Sequence, residues 1–289
     1  MKMIKKTTTF LELAKPRLTI LVVFSTFTGY YLGANGAIHF GELLNVLIGI
    51  ALASGGALAL NQYIEREFDA QMKRTRHRPL PSGRLQPKEA AFFGVFLCLA
   101  GIAFTAFAVN MLTSFLVFLT ILSYLFAYTP LKRKTVLNTA VGAIPGALPV
   151  VCGWTGARNT LDIESLVLFG ILFFWQFPHF LSIALLYRND YQRAGFKMMP
   201  AMKNGDRWTH QHIIVACIAL MIVSILPVVS GLTGVLYFVV ALLAGFVFLG
   251  YGICLAIFNT PAFARRLMFA SFIYPLLVWG FMIIDKTGV

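Results

Sequence analysis

Asn61, Glu65 and Asp69 recur every fourth residue in the stretch "NQYIEREFDAQMKRTRHRPLPSGR". On a helix with about 3.6 residues per turn they stack along one face with modest drift. Three oxygen-bearing side chains so arranged suit a hard cation such as Mg²⁺, which typically shares one or two carboxylates with substrate phosphates. Lys73, Arg74, Arg76 and Arg78 follow immediately. Pro79 and Pro81 bias the residues before them toward extended backbone, which predicts that Arg74, Arg76 and Arg78 project together. Carboxylates beside a row of guanidiniums are what a metal-bound polyphosphate requires, the metal bridging oxygens and the arginines clamping the rest. A solvated charge run is the competing reading, and the position of Asn61 inside an apolar run weakens it. The chain has no GxxxxGK[ST] loop, which argues against a nucleotide triphosphatase.

The elements that carry these residues must lie in a membrane. Of 289 residues, 58% are apolar and 14% aromatic, with only 12% charged, far from a soluble domain. Apolar runs near the roughly 20 residues needed to span a bilayer fall at 18–34, 43–62, 90–109, 111–128, 138–155, 165–186, 212–231, 234–258 and 267–284. The sequence therefore predicts an all-α integral membrane protein, a single domain over 1–289 built as a bundle of about nine transmembrane helices. With the N-terminus cytoplasmic and the C-terminus outside, 22 of the 24 Lys and Arg residues fall inside, leaving only Arg158 and Lys286 outside. This matches the positive-inside rule. The net charge of +13 then reflects topology, and nucleic acid is not expected as a partner. The absence of an organellar transit pattern favours a bacterial inner membrane with its active face cytoplasmic.

Cys98, Cys152, Cys217 and Cys254 fall within predicted spans without CxxC spacing, and read as packing residues. The fifth span carries Gly142, Pro145, Gly146, Pro149 and Gly153. So many breakers are tolerated where a helix borders a cavity or is buried in protein, so this span is expected to border a pocket.

The first signature, together with "KPRLT" at 15–19, "YTPLKRKTVLNTAVGAIPGALPVVCGW" at 128–154 and "WQFPHFLSIALLYRNDYQRAGFKMMP" at 175–200, resembles the intramembrane prenyltransferases of the UbiA superfamily. Within it, the chain is most similar to the branch that farnesylates heme. The resemblance implies a UbiA-type prenyltransferase fold in which farnesyl diphosphate is ionised with Mg²⁺ as cofactor and its farnesyl group passes to the 2-vinyl of heme B, giving heme O. By similarity, Asn61, Glu65 and Asp69 hold the metal. Lys132, with Arg133, faces the leaving diphosphate, joined by Arg66, Lys73, Arg74, Arg76, Arg78, Asp190, Arg193 and Lys197. The family's second aspartate-rich cluster is represented here by Asp190, with only a distant Asp206 besides. Membrane lipid is the medium, and a heme A synthase or terminal oxidase assembly is the implied consumer of the product.

His179 follows Pro178 within a predicted span, where an ionisable residue is a functional candidate. It is expected to contact heme, through iron or a propionate, unless it is held structurally by a backbone carbonyl. His77 between Arg76 and Arg78, and Tyr128 in "YTPLK", are the other heme-side candidates, whereas His210 and His212 suit an interfacial position as well as a catalytic one. Two rivals stand beside this reading: a UbiA-type enzyme prenylating a quinone-precursor aromatic, and a small-molecule transporter with broken helices and midplane charges. Against the transporter, the charges cluster on one side.

Overall fold

The computed structural model describes residues 2–34, 36 and 38–287, with side chains from residue 6 onward, so the Lys2 and Lys5 side chains lie outside the described residues. The elements run α1 (Lys2–Leu13), α2 (Pro16–Gly33), α3 (Phe40–Asp69), α4 (Pro87–Ala108), α5 (Met111–Leu122), a π-helical stretch (Ser123–Tyr128), α6 (Thr129–Leu131), α7 (Asn138–Arg158), α8 (Ile163–Leu186), α9 (Arg188–Arg193), a 3₁₀ turn (Met199–Ala201), α10 (Gly205–Val229), α11 (Val235–Phe258) and α12 (Pro261–Ile284). Eight segments among the described residues are long and apolar enough to cross a membrane, with α5, the π-helical stretch and α6 acting as one. The ninth expected span is α2, of 18 residues, about 27 Å long. It is more polar because Ser25, Thr26, Thr28 and Tyr30 are buried against protein.

Local sequence explains the ends. Pro87 opens α4 behind a reciprocal Gln86–Glu89 capping box, which satisfies otherwise orphaned N–H groups. The Asn110 side chain accepts from Thr113 N at 2.8 Å to start α5, and Thr260 caps α12 ahead of Pro261. Helix α3 continues to Asp69, seven residues past the predicted limit of 62, so the acidic face rides on an unbroken helix.

Helix α7 remains helical despite Pro145 and Pro149, and is the most buried of the eight spans. It packs on α2 so tightly that a Cβ at Gly153 would lie 2.0 Å from the Thr26 carbonyl oxygen. That approach is the use of small residues in helix pairs within lipid. Phe107, Val215, Val229 and Val235 stand exposed on the outer surface, as lipid-facing positions require, while Trp154, Trp279, Tyr237 and Phe248 are fully buried. All four cysteines are free, and Cys98, Cys152 and Cys217 are buried as packing residues.

The two basic residues apart from the rest meet at the C-terminal end of α2. Arg158 Nε donates to the Gly33 carbonyl at 2.7 Å, and Lys286 Nζ donates to the Tyr31 and Ala34 carbonyls at 2.8 and 2.7 Å. These are the helix-end acceptors that lack intrahelical partners. Burial, with Arg158 close by, lowers the Lys286 pKa. The opposite, basic face carries the 70–86, 132–137 and 187–204 segments and the candidate site.

Candidate active site

Asn61, Glu65 and Asp69 are 2%, 5% and 1% exposed on the last turns of α3. Each is engaged from a different element. Asn61 Nδ2 donates to Thr129 Oγ1 at 3.1 Å. Lys132 Nζ pairs with Glu65 Oε1 at 2.8 Å, and Arg78 with Asp69 Oδ2 at 2.7 Å. Among the described residues Asp69 Oδ1 is buried with no hydrogen-bond partner. A carboxylate oxygen stripped of water and left without a donor is costly, and it is a natural seat for a cation.

The π-helical stretch explains how Lys132 arrives. One extra residue in the turn is a feature that often marks functional sites, and it brings Tyr124 and Tyr128 to the same cavity. Lys132 Nζ lies 4.5 Å from the centre of the Tyr128 ring. Gly142 makes room for that ring, since a Cβ there would sit 2.4 Å from it. Burial alone would depress the Lys132 pKa, but Glu65 and the two tyrosines outweigh it and the ammonium is held above its usual value. The backbone of Lys132 is fixed in turn: its carbonyl accepts from Lys197 N at 2.7 Å, and the Lys197 carbonyl accepts from Asn138 Nδ2 at 3.0 Å.

The segment after α3 departs from the expected extended strand. Residues 70–84 form successive turns, with Arg76 N bonded to the Met72 carbonyl and Arg78 N to that of Thr75. Side chains therefore do not alternate as in a strand. Arg74 and Arg78 reach the cavity, whereas Arg76 is exposed and bonds His77 Nε2 at 3.4 Å. Asp190 latches this segment to α9: its Oδ2 accepts from Arg74 N at 3.2 Å and its Oδ1 pairs with Arg193. Burial would raise the Asp190 pKa, yet the Arg74 N–H and the Arg193 guanidinium outweigh it and hold the carboxyl low. Arg74 also bonds the Tyr191 hydroxyl at 3.3 Å and stacks over Tyr187.

A cavity of about 420 Å³ joins these groups. Its polar end holds Asn61, Glu65, Asp69, Arg74, Arg78 and Lys132, and its apolar wall includes Phe24, Leu172, Trp175, Phe272 and Leu276. Tyr128 and His179 line it as well. The fifth expected span borders it through Gly142, Pro145, Gly146 and Pro149. Other expected site residues are not on its wall. Arg66 pairs with Glu67 and Arg133 stacks over Phe68 at 4.2 Å; Asp206, which the sequence left apart from the second cluster, pairs with Arg188. Lys73, Arg76, His77, Asp190, Arg193 and Lys197 do not line the cavity either.

Lys15, Tyr124, Asn138 and Tyr191 also line the cavity, beyond the residues the sequence singled out as site candidates. Lys15 precedes Pro16 at the start of α2 with φ 47°, a left-handed conformation. Burial first, then Arg78 and Lys132, lower its pKa to about 7 against the opposing pull of Glu65 and Asp69. The Lys15–Pro16 pair marks a helix start, which does not by itself place the ammonium in a cavity.

The model of the UbiA prenyltransferase family matches residues 22–276. The chain belongs to that family. A protoheme IX farnesyltransferase from Solibacter usitatus (strain Ellin6076) is 45% identical over 97% of the chain and 99% of the relative. One from Koribacter versatilis (strain Ellin345) is 38% identical over 96% and 92%. Among solved structures, a digeranylgeranylglyceryl phosphate synthase aligns with TM-score 0.79 at 17% identity, covering 97% of this chain and 98% of that one. A UbiA homologue from Archaeoglobus fulgidus, bound to GPP and Mg²⁺, aligns with TM-score 0.64 at 15% identity over 96% and 99%. These structural likenesses establish the UbiA fold for the helical bundle.

Proposed function

We propose that this UbiA-family chain transfers the farnesyl group of farnesyl diphosphate to the 2-vinyl group of heme B, yielding heme O and diphosphate. The observation that carries the reading is one cavity with a buried carboxylate face and cations at one end and an apolar wall at the other. The near full-length similarity to protoheme IX farnesyltransferases supports heme as acceptor over a quinone-precursor aromatic.

Asn61, Glu65 and Asp69 would hold Mg²⁺, a donor set of oxygens to which the unpartnered Asp69 Oδ1 contributes. When bound, the ion neutralises charge on the diphosphate oxygens. Lys132 and Arg78 lie beside the same carboxylates and stabilise the charge that develops as the C1–O bond breaks and its electron pair leaves with diphosphate. The π electrons of the vinyl group form the new bond to C1. Water then supplies the hydroxyl at the former vinyl carbon next to the ring, releasing one proton. The apolar wall around Trp175, Phe272 and Leu276 accommodates the prenyl chain and excludes water from the allylic cation. His179 contacts the heme.

The test is incubation of purified protein with heme B, farnesyl diphosphate and Mg²⁺. A heavier, more apolar heme is expected, and it should disappear with a chelator. Prenylation of an aromatic acid with heme left unchanged would overturn the choice of acceptor.

The whole chain acts as one domain, with its basic face on the cytoplasmic side of a bacterial inner membrane, a reading that the distribution of Lys and Arg supports. A cysteine placed at Asn159 should react with a membrane-impermeant thiol reagent from outside, and one at Ser82 should not. The reverse pattern would move the active face to the other side.

A further inference from the structure

Trp175 and His179 lie one turn apart on α8, stacked with ring centres 5.1 Å apart and planes at 15°. The Phe272 ring of α12 meets the imidazole edge-on at 5.1 Å. Both α8 rings are tied to one residue of α12, Ser271, which is fully buried. Pro275 lacks the N–H that would normally close a helical bond to the carbonyl four residues earlier. That carbonyl belongs to Ser271, and Trp175 Nε1 donates to it at 2.8 Å. The Ser271 side chain takes the second ring: its Oγ lies 2.7 Å from His179 Nδ1.

The same Oγ lies 2.5 Å from the Met268 carbonyl oxygen, an atom that can only accept. A serine hydroxyl has one proton to donate. With that proton committed to Met268, His179 Nδ1 must carry its own proton and donate it to Oγ. The neutral imidazole then keeps its lone pair on Nε2, which has no hydrogen-bond partner among the described residues, while the ring lines the cavity. His179 sits roughly 10 Å from the end of α8 at Leu186, on the side of the cavity away from the charged groups that close it.

We propose that Ser271 is a positioning residue that fixes His179 in the Nδ1–H tautomer, so that Nε2 is the axial ligand to the iron of the porphyrin substrate. This rests on the reading of the chain as a heme-modifying enzyme, and it goes further by naming the ligating atom and the partner that sets it. A carbonyl or hydroxyl accepting the distal N–H of a ligating histidine fixes ring orientation and increases ligand basicity. Iron ligation would anchor the macrocycle within the apolar part of the cavity, leaving its edge to meet the prenyl carbon.

The experiment uses full-length protein in lipid nanodiscs titrated with ferrous heme B, read by absorption and by the resonance Raman band of the iron–histidine bond. The unmodified chain should show that band, and His179→Ala should lose it. Ser271→Ala should bind heme about tenfold more weakly with the band shifted to lower frequency. Ser271→Cys, which keeps the shape but accepts poorly, should behave likewise if the alanine variant fails to fold. Ser271→Thr, which keeps the hydroxyl, should restore both readouts, and farnesyl diphosphate affinity should stay within twofold throughout. An unchanged band and affinity in both Ser271→Ala and Ser271→Cys would overturn the role of Ser271 while leaving His179 as ligand. A band absent from the unmodified protein, or retained in His179→Ala, would overturn the ligand itself.

Discussion

The two faces of the bundle use the same residue types for opposite ends. On the basic face, Lys132 and Arg78 pair with Glu65 and Asp69 on the wall of a cavity. On the far face, Arg158 and Lys286 bond the backbone carbonyls that finish α2. A carboxylate partner can be shared with a metal or exchanged for a phosphate oxygen as substrate arrives. A helix-end carbonyl is a fixed part of the backbone and keeps its cation in place, even where Arg158 also approaches the Asp162 carboxylate at 3.7 Å. Lysine and arginine thus face exchangeable partners on one side of the bundle and fixed ones on the other.

The strongest way to break that contrast is to neutralise the carboxylates. Glu65→Gln and Asp69→Asn keep shape but remove the charge that a hard cation needs. Turnover should fall by at least about tenfold in each, equivalent to roughly 1.4 kcal/mol of barrier, while the protein still inserts and unfolds cooperatively. Full activity in both variants would remove the metal from this face. Lys132→Ala comes next. Because its ammonium is held above the usual lysine range by Glu65, it stays charged throughout the workable pH range, and on the proposed mechanism it acts most as charge develops on the leaving group. We expect kcat/KM for farnesyl diphosphate to drop roughly five- to tenfold, ~1–1.4 kcal/mol, with heme affinity unchanged in a spectroscopic titration. Equal damage to heme binding would show that Lys132 supports the cavity as a whole.

How far the sequence alone reached follows the same division. Hydrophobic run length located the spans because lipid leaves backbone polar groups no other partner than a helix. The four-residue spacing of Asn61, Glu65 and Asp69 placed them together because α3 never breaks. Where spacing failed, long-range bonds had intervened. Arg76 points away because residues 70–84 coil into turns latched by Asp190, a contact from 116 residues later in the chain. Lys15 and Asn138 enter the cavity only through the packing of α2 and α7, and no local pattern announces that. The purpose of Arg158 and Lys286 was equally hidden, since a charge-distribution rule marks them as exceptions without saying what they hold.

Lys286→Met should leave two part-buried carbonyls short of a donor, and Arg158→Gln one, at roughly 1–3 kcal/mol at most for each unmet acceptor. Thermal unfolding in detergent should come earlier in both, whereas the turnover of folded protein should remain within twofold. Loss of turnover without loss of stability would mean that the far face communicates with the cavity.

The smallest expected effect is the sharpest probe of what a negotiable cation is. Lys15 faces the cavity with Arg78 and Lys132, and it has neither an ion pair nor a side-chain hydrogen bond among the described residues. Burial and those two cations lower its pKa to about 7, with Glu65 and Asp69 pulling the other way. Inorganic diphosphate in the cavity adds negative charge and must raise that pKa. The complex then keeps a proton that the free protein loses as pH rises through about 7. By linkage, the contribution of Lys15 to diphosphate affinity is fully present below pH 7 and declines above it, by at most tenfold per pH unit. Diphosphate titrates in the same range, so the quantity to follow is the ratio of affinities for the unmodified chain and Lys15→Met, measured at constant Mg²⁺. That ratio should be several-fold at pH 6 and approach unity by about pH 9. A ratio constant across this range would show that Lys15 either stays charged or lies too far from the diphosphate to matter, and would return it to the role of a helix start.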